Sequence, residues 1–424
     1  MNRLPPSRPE AVLDHLANRA DVIVPIANGE PVTVLDAIEA NVDRLDEVRV
    51  HQMHALHDRR YLHGEWRDRL RHISYFLSPV TRPCFADGSL ELVPNNFSEV
   101  PQLLSLRCRD PLVIASASTP DRHGYFSLGT GADYTASFIG RAPFYVEANR
   151  QMPRTFGRNQ LHVSQVVGWC EADYPLVEID PAEPDEIDRR IGGYVTERIA
   201  DGATIQTGIG AIPNAILTLL RDHRDLGVHT ELISDGLVDL IDLGVVNGVR
   251  KELNRTKVVG TFALGTRRLY EFVADNPAIE LWPVSYVNNP RLIAQERNFV
   301  SVNATLQVDF LGQCGSETIG DRYWSSSGGQ ADFARGAMYS DGGQGFIVVR
   351  STARGGEVSS ICAQLPKGTA VTTSKNTVDK VVTEFGVAEL RGHSISERTR
   401  ALIAVADPNF RDQLTYEAKQ LGYS

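Results

Sequence analysis

The stretch Gln206–Asp235, QTGIGAIPNAILTLLRDHRDLGVHTELISD, decides the reading of this chain. A short strand runs into Gly208-Ile209-Gly210, a helix follows over AIPNAILTLLRD, and GVHTELIS reads as a strand carrying one acidic residue, Glu231. Pro213 falls in the first turn of that helix, where a missing N–H costs little. The two glycines let backbone N–H groups face a cavity, and Glu231 stands on the next strand within reach of it. A backbone donor cradle beside a lone carboxylate suits chemistry at an acyl carbonyl: the carboxylate attacks, and the N–H groups hold the developing oxyanion. With an ordinary pKa of roughly 4.3 the carboxylate is ionised at pH 7 and needs no activating base.

Other readings of these residues stand beside that one. Gly-Ile-Gly between a strand and a helix is half of a dinucleotide fingerprint, and Glu231 lies near the spacing of the acidic residue that completes it. That would make the chain an NAD-dependent dehydrogenase. Pro213 occupies the third glycine position, where a ring hinders close helix–strand contact. The plain alternative is a tight turn and a half-exposed carboxylate.

Outward from this stretch the rhythm is α/β. Ile187, Ile191, Val195 and Ile199 recur every four residues and predict an amphipathic helix ending near Gly202. KVVGTFALG, IELWPVSYV and GFIVVRST read as strands, with TRRLYEFVADN as a helix among them. Strands alternating with helices imply a buried, largely parallel sheet. From Val300 to Phe310, apolar and polar residues alternate, which predicts one strand with a polar face. The last long helix is expected through SERTRALIAVA, ending before Asp407-Pro408. In the first half, EVRVHQMHALH and DPLVIASAS read as strands and PVTVLDAIEAN as a helix. The acidic, proline-bearing segment Glu171–Asp188 reads as the joint between domains 1–180 and 181–424.

Bulk properties narrow the function. The 424 residues are 42% hydrophobic and 23% charged, with a net charge of −10 that argues against a nucleic-acid binder. No apolar run is long enough to span a membrane, and residues 1–21 lack the apolar core of a secretory signal. The five scattered cysteines form no CxxC, which fits a reducing cytoplasm. Cys314 in GQCGSE reads as a packed cysteine rather than a nucleophile. His51, His54, His57, His63 and His72 crowd one stretch, but on a strand the His51/His54/His57 spacing alternates faces and no metal is expected. SSSGG at Ser325–Gly329 and DGGQG at Asp341–Gly345 are turns that let backbone approach a ligand, or turns and nothing more.

With these residues assembled, the chain resembles the acetyl-CoA hydrolase/transferase family, and within it the 4-hydroxybutyrate and butyrate CoA-transferases. The likeness is carried by IQTGIGAIPNAIL, LGVHTELISDGLVDL, NATLQVDFLGQ, SETIG, GGQADFARGA, STARGG and AVTTSKNTVDKVVTEFGVAELRG in the second half. SEVPQLL, STPDRHGYFSLG, ADYT and HVSQV carry it in the first. The resemblance implies two CoA-transferase-type α/β domains with mainly parallel sheets and an active site between them. It implies that Glu231 forms a glutamyl-CoA thioester during ping-pong transfer between short-chain acyl-CoA and carboxylates, with acyl-CoA hydrolysis at the same site as the alternative. It implies that Gly208, Ile209, Gly210, Ala211 and Ile212 contact coenzyme A through backbone, with Leu306, Gly328 and Gly329 nearby, and that Gly386 is an oxyanion or CoA-loop residue. Coenzyme A is then a substrate rather than a bound cofactor, and a cytoplasmic homo-oligomer is expected. Some relatives carry the catalytic glutamate where this chain has Gln307, an amide that cannot take that role. Ser326 and Ser327 replace an expected Gly-Val, and Arg350 stands where the family usually has proline.

Overall fold

Every residue of the strand Leu112–Ala117 is buried, the pattern of a parallel strand covered on both faces. In the computed structural model, which describes residues 4–423, it belongs to a seven-stranded sheet. The strands are β1 Asp21–Val24, β2 Val48–Gln52, β3 Leu70–Ser74, β4 Glu91–Leu92, β5 Leu112–Ala117, β6 Phe144–Asn149 and β7 Val166–Ala172. They run in the order β7-β6-β5-β1-β2-β3-β4, and all pairings are parallel. One face packs the helix α1 Val32–Ala40 through Val34, Leu35 and Ile38.

A second sheet has six strands: β8 Thr204–Thr207, β9 Gly227–Val228, β10 Phe299–Ala304, β11 Gln344–Val348, β12 Lys380–Thr383 and β13 Gly386–Glu389. Their order is β9-β8-β10-β11-β12-β13, parallel except for the terminal β12–β13 hairpin. The chain moves outward to β9 and then reverses past β8 to β10. Ligands of open parallel sheets bind at the carboxyl ends of strands beside such a reversal. The fold is therefore mixed α/β with mainly parallel sheets. No helix among the described residues is long and apolar enough to cross a membrane.

The units are not a simple cut at residue 180. The first takes the chain up to Asp180 together with Val259–Val287; the second takes Pro181–Val258 and Asn288 onward. Backbone pairing explains the excursion. Ala132 N–H donates to the Thr261 carbonyl, Ala263 N–H donates to the Thr130 carbonyl, and Ile279–Leu281 pairs in parallel with Phe156–Gly157. A division at 180/181 assigns these residues to the second domain, while their hydrogen bonds tie them to the first.

Two local expectations change. The Val300–Phe310 strand breaks at Thr305-Leu306 into β10 and Gln307–Asp309. The polar face of β10 is covered at Ser301, which is only 1% exposed, as in a parallel sheet packed on both faces. SERTRALIAVA forms the helix Ile395–Val405 with Ser394 as its capping residue, but a further helix, Arg411–Leu421, follows it. That helix buries Leu414 and Ala418 in the core that holds Val381, Leu402 and Val405. The crowded histidines divide: His51 and His72 are core residues of β2 and β3, whereas His63 is exposed. His51 lies 2.9 Å from Asp21 and 3.1 Å from the Tyr75 hydroxyl. Asp21, His51 and Cys108 lie close enough to share an ion, yet the Asp21 oxygens already receive Arg49 and the Arg109 N–H.

Candidate active site

Two adjacent strands deliver the key segments. The Gly208–Gly210 turn leaves the carboxyl end of β8 and opens the helix α2 Ala211–Leu219. Gly210 has φ +120°, a backbone position that disfavours any side chain. Glu231 follows β9 by three residues. It sits in a bend before the short strand Leu232–Ile233, so GVHTELIS is not the continuous strand that its apolar pattern suggests. Two contacts fix that bend. The Thr230 hydroxyl donates to the Thr207 carbonyl at 3.2 Å, tying the glutamate segment to the root of the glycine turn. The wholly buried Lys251 donates from Nζ to the Val228 and Lys257 carbonyls at 2.9 and 3.0 Å.

The Glu231 carboxylate is half-buried and meets neutral donors. Asn288, fully buried, donates from Nδ2 to Oε2 at 2.7 Å. The Gly329 backbone N–H donates as well. Gly329 is the N-cap of the helix α3 Gln330–Tyr339, so this donor lies at the positive end of a helix dipole. A Cβ at Gly329 would overlap both the Glu231 carboxylate and the Asn288 amide; here close approach, not backbone angle, demands glycine. Asp332, in the first turn of α3, adds a like charge. Burial pushes the Glu231 carboxyl up to about 7, and Asp332 pushes it the same way against the pull of Asn288 and Gly329. The group is therefore divided between acid and carboxylate at neutral pH, instead of fully ionised as its residue type suggests.

A groove of about 320 Å³ opens at the glycine turn. Ile209 to Pro213 line it from the glycine turn and α2, Ala304 to Leu306 from the end of β10, and Val348 to Arg350 from the end of β11. Ile209 is 63% exposed and Leu306 38%, so both present apolar surface in the groove. Gly208, Ile209, Gly210, Ala211, Ile212 and Leu306 thus gather at the strand-order reversal, while Gly328 and Gly329 gather at Glu231. Gly386 lies across the same sheet. It opens β13, the far edge strand, opposite Thr383. The groups that meet Glu231 come from Asn288, Gly329 and Asp332, and Gly386 is not among them; two residues before it, Glu384 accepts from Ser351, the neighbour of the groove residue Arg350. Asn288 escaped notice because one asparagine before Asn289-Pro290 carries no periodic or motif signal. Cys314 is wholly buried, and burial raises its thiol, which suits a packed side chain.

Comparisons with known proteins place the chain in a family. Residues 7–184 match the acetyl-CoA hydrolase/transferase N-terminal domain, and residues 265–418 match the C-terminal domain of the same family. The chain is 44% identical over 402 residues to a succinyl-CoA:cyclohexane-1-carboxylate CoA transferase from Geobacter metallireducens, covering 94% of this chain and 91% of that protein. It is 41% identical over 414 residues to a 4-hydroxybutyrate coenzyme A transferase from Clostridium kluyveri, covering 97% and 96%. The crystal structure of RipA from Yersinia pestis superposes with a TM-score of 0.93 at 37% identity, covering 99% of this chain and 98% of that one. These likenesses define an α/β enzyme of coenzyme A thioester chemistry. The chain belongs to the acetyl-CoA hydrolase/transferase family.

Proposed function

We propose that this protein is an acyl-CoA:carboxylate CoA-transferase acting on short-chain substrates by ping-pong through a glutamyl-CoA thioester on Glu231. The observation that carries the reading is a half-buried glutamate held by two neutral donors, Asn288 Nδ2 and Gly329 N–H, with no cation assigned to it among the described residues. The ionised carboxylate attacks the acyl-CoA carbonyl and expels the CoA thiolate, leaving a mixed anhydride on Glu231. The thiolate then attacks the Glu231 carbonyl carbon. The oxyanion formed there is on the glutamate's own oxygen, where Asn288 and Gly329 already donate, so stabilising it needs little reorganisation. The first carboxylate departs, an acceptor carboxylate attacks the thioester, and the steps run in reverse. Binding along the Ile209–Leu306 groove supplies interactions remote from the reacting atoms.

One observation favours a second reading. Glu231 retains solvent contact, and water reaching either intermediate would turn the same site into an acyl-CoA hydrolase. The two are separated by incubating acetyl-CoA with and without butyrate. Butyryl-CoA formed in proportion to added butyrate, with little free CoA in its absence, supports the transferase. Free CoA released at the same rate regardless of butyrate overturns it in favour of the hydrolase.

A further inference from the structure

Arg350 is the cation of the apolar groove and stands two residues after the end of β11. Its guanidinium is fixed along one edge. Nε and Nη2 donate to Asp188 at 3.1 and 2.7 Å, and Nη2 lies 2.9 Å from Asp185. Both acids belong to the capping box that starts the helix Glu186–Thr196, and the Asp188 side chain is only 1% exposed. A guanidinium is planar, so Nη1 faces away from the edge that grips Asp188. Among the described residues Nη1 has no acceptor, and the side chain is 41% exposed and lines the groove together with Asp188. One cation against two carboxylates leaves the cluster at a net charge of about −1, which repels a phosphate but leaves a strong donor for a neutral oxygen. The facing surfaces, Ile209, Leu306 and Val349, are apolar and suit an uncharged chain.

We propose that Arg350 is a binding residue for the pantetheine arm of the acyl-CoA, donating from Nη1 to an amide carbonyl rather than to a phosphate. This rests on the CoA-transferase reading, because the ligand it assigns is coenzyme A. It also assigns a use to an arginine at a position where the family usually has proline.

The test is a calorimetric titration with coenzyme A at low and high ionic strength. The double variant Arg350→Met/Asp188→Asn removes the guanidinium without stranding a buried carboxylate, and leaves the cluster's net charge unchanged. The Asp188→Asn change keeps a side-chain oxygen for the helix cap, and thermal unfolding checks the fold. Arg350→Lys, which keeps the charge but loses the fork, is the second variant. Loss of one charge-assisted hydrogen bond weakens binding by about tenfold or more, and the inference requires the same factor at both ionic strengths and with pantetheine as the titrant. A loss that disappears at high salt, or that is absent with pantetheine while present with coenzyme A, would place the guanidinium on a phosphate and overturn it. Unchanged affinity in a folded double variant overturns it as well. A parent protein that binds no coenzyme A would instead remove the functional reading on which the inference stands.

Discussion

Glu30 and Glu231 are both carboxylates withdrawn from water, one in each unit, and they end in opposite states. Glu30 is 1% exposed and is surrounded by charge and donors. Arg59 Nε donates at 2.9 Å, Gln52 Nε2 at 3.1 Å and the Leu56 N–H at 3.2 Å, with His57 at 3.3 Å. Burial pushes its carboxyl up, but His57 and Arg59 outweigh that and hold it at about 2. Glu231 has only an amide, a backbone N–H and a neighbouring acid, and it rises to about 7. Burial alone therefore does not mark a reactive group. What separates the two, and what the proposed mechanism uses at Glu231, is whether the protein neutralises the charge it has buried.

The largest expected effect comes from the donors on Glu231. Gly329→Ala places a methyl group in the space of the carboxylate and the Asn288 amide, and Asn288→Ala removes one oxyanion donor. Each should lower kcat by about 10²–10³, read by acyl exchange in protein whose thermal unfolding is unchanged. Equal activity would show that these donors do not act in the transition state.

The next effect is on pH. Attack requires the ionised form, so kcat/KM should fall about tenfold per unit as pH drops below about 7 and level off above it. A profile flat from pH 5 to 8 would place Glu231 with ordinary, fully ionised glutamates.

Stability should respond with opposite signs at the two sites. Glu30 is depressed, so its contribution is present above the unfolded value of 4.5 and is lost as pH falls towards about 2. Glu30→Gln should therefore cost about 3 kcal/mol at pH 7 by leaving Arg59 short of a partner, and less below pH 4. Glu231 is raised, so the native state binds its proton more tightly than the unfolded chain does. Its ionisation costs stability as pH rises from 4.5 through about 7. Glu231→Gln should be neutral near pH 4 and stabilising by about 3 kcal/mol at pH 8, measured by urea unfolding. The smallest effect is at Asp332. Asp332→Asn removes a like charge and should move the midpoint of the pH profile down by less than about one unit.

Much of the site was legible before its geometry was. The β8–turn–α2 unit shows in the sequence because glycine spacing, Pro213 and apolar periodicity agree over one short stretch. Glu231 shows because it is the one acidic residue of GVHTELIS, although the bend that carries it is hidden by Leu232 and Ile233. The partners of Glu231 were not legible, because Asn288 and Asp332 arrive from distant segments and nothing local distinguishes them. The helix Arg411–Leu421 was missed for a related reason: few apolar residues anchor it in a charged stretch. The return of Val259–Val287 to the first unit is set by long-range backbone pairing with residues 130–133 and 156–157, which leaves no pattern in local sequence.

The most direct test is the intact mass of the protein after brief exposure to acetyl-CoA, beside Glu231→Gln treated in the same way. The account requires a covalent coenzyme A adduct that hydroxylamine removes, that added carboxylate discharges, and that the variant lacks. An adduct of equal yield on Glu231→Gln would contradict it, because the thioester would then be carried by some other residue.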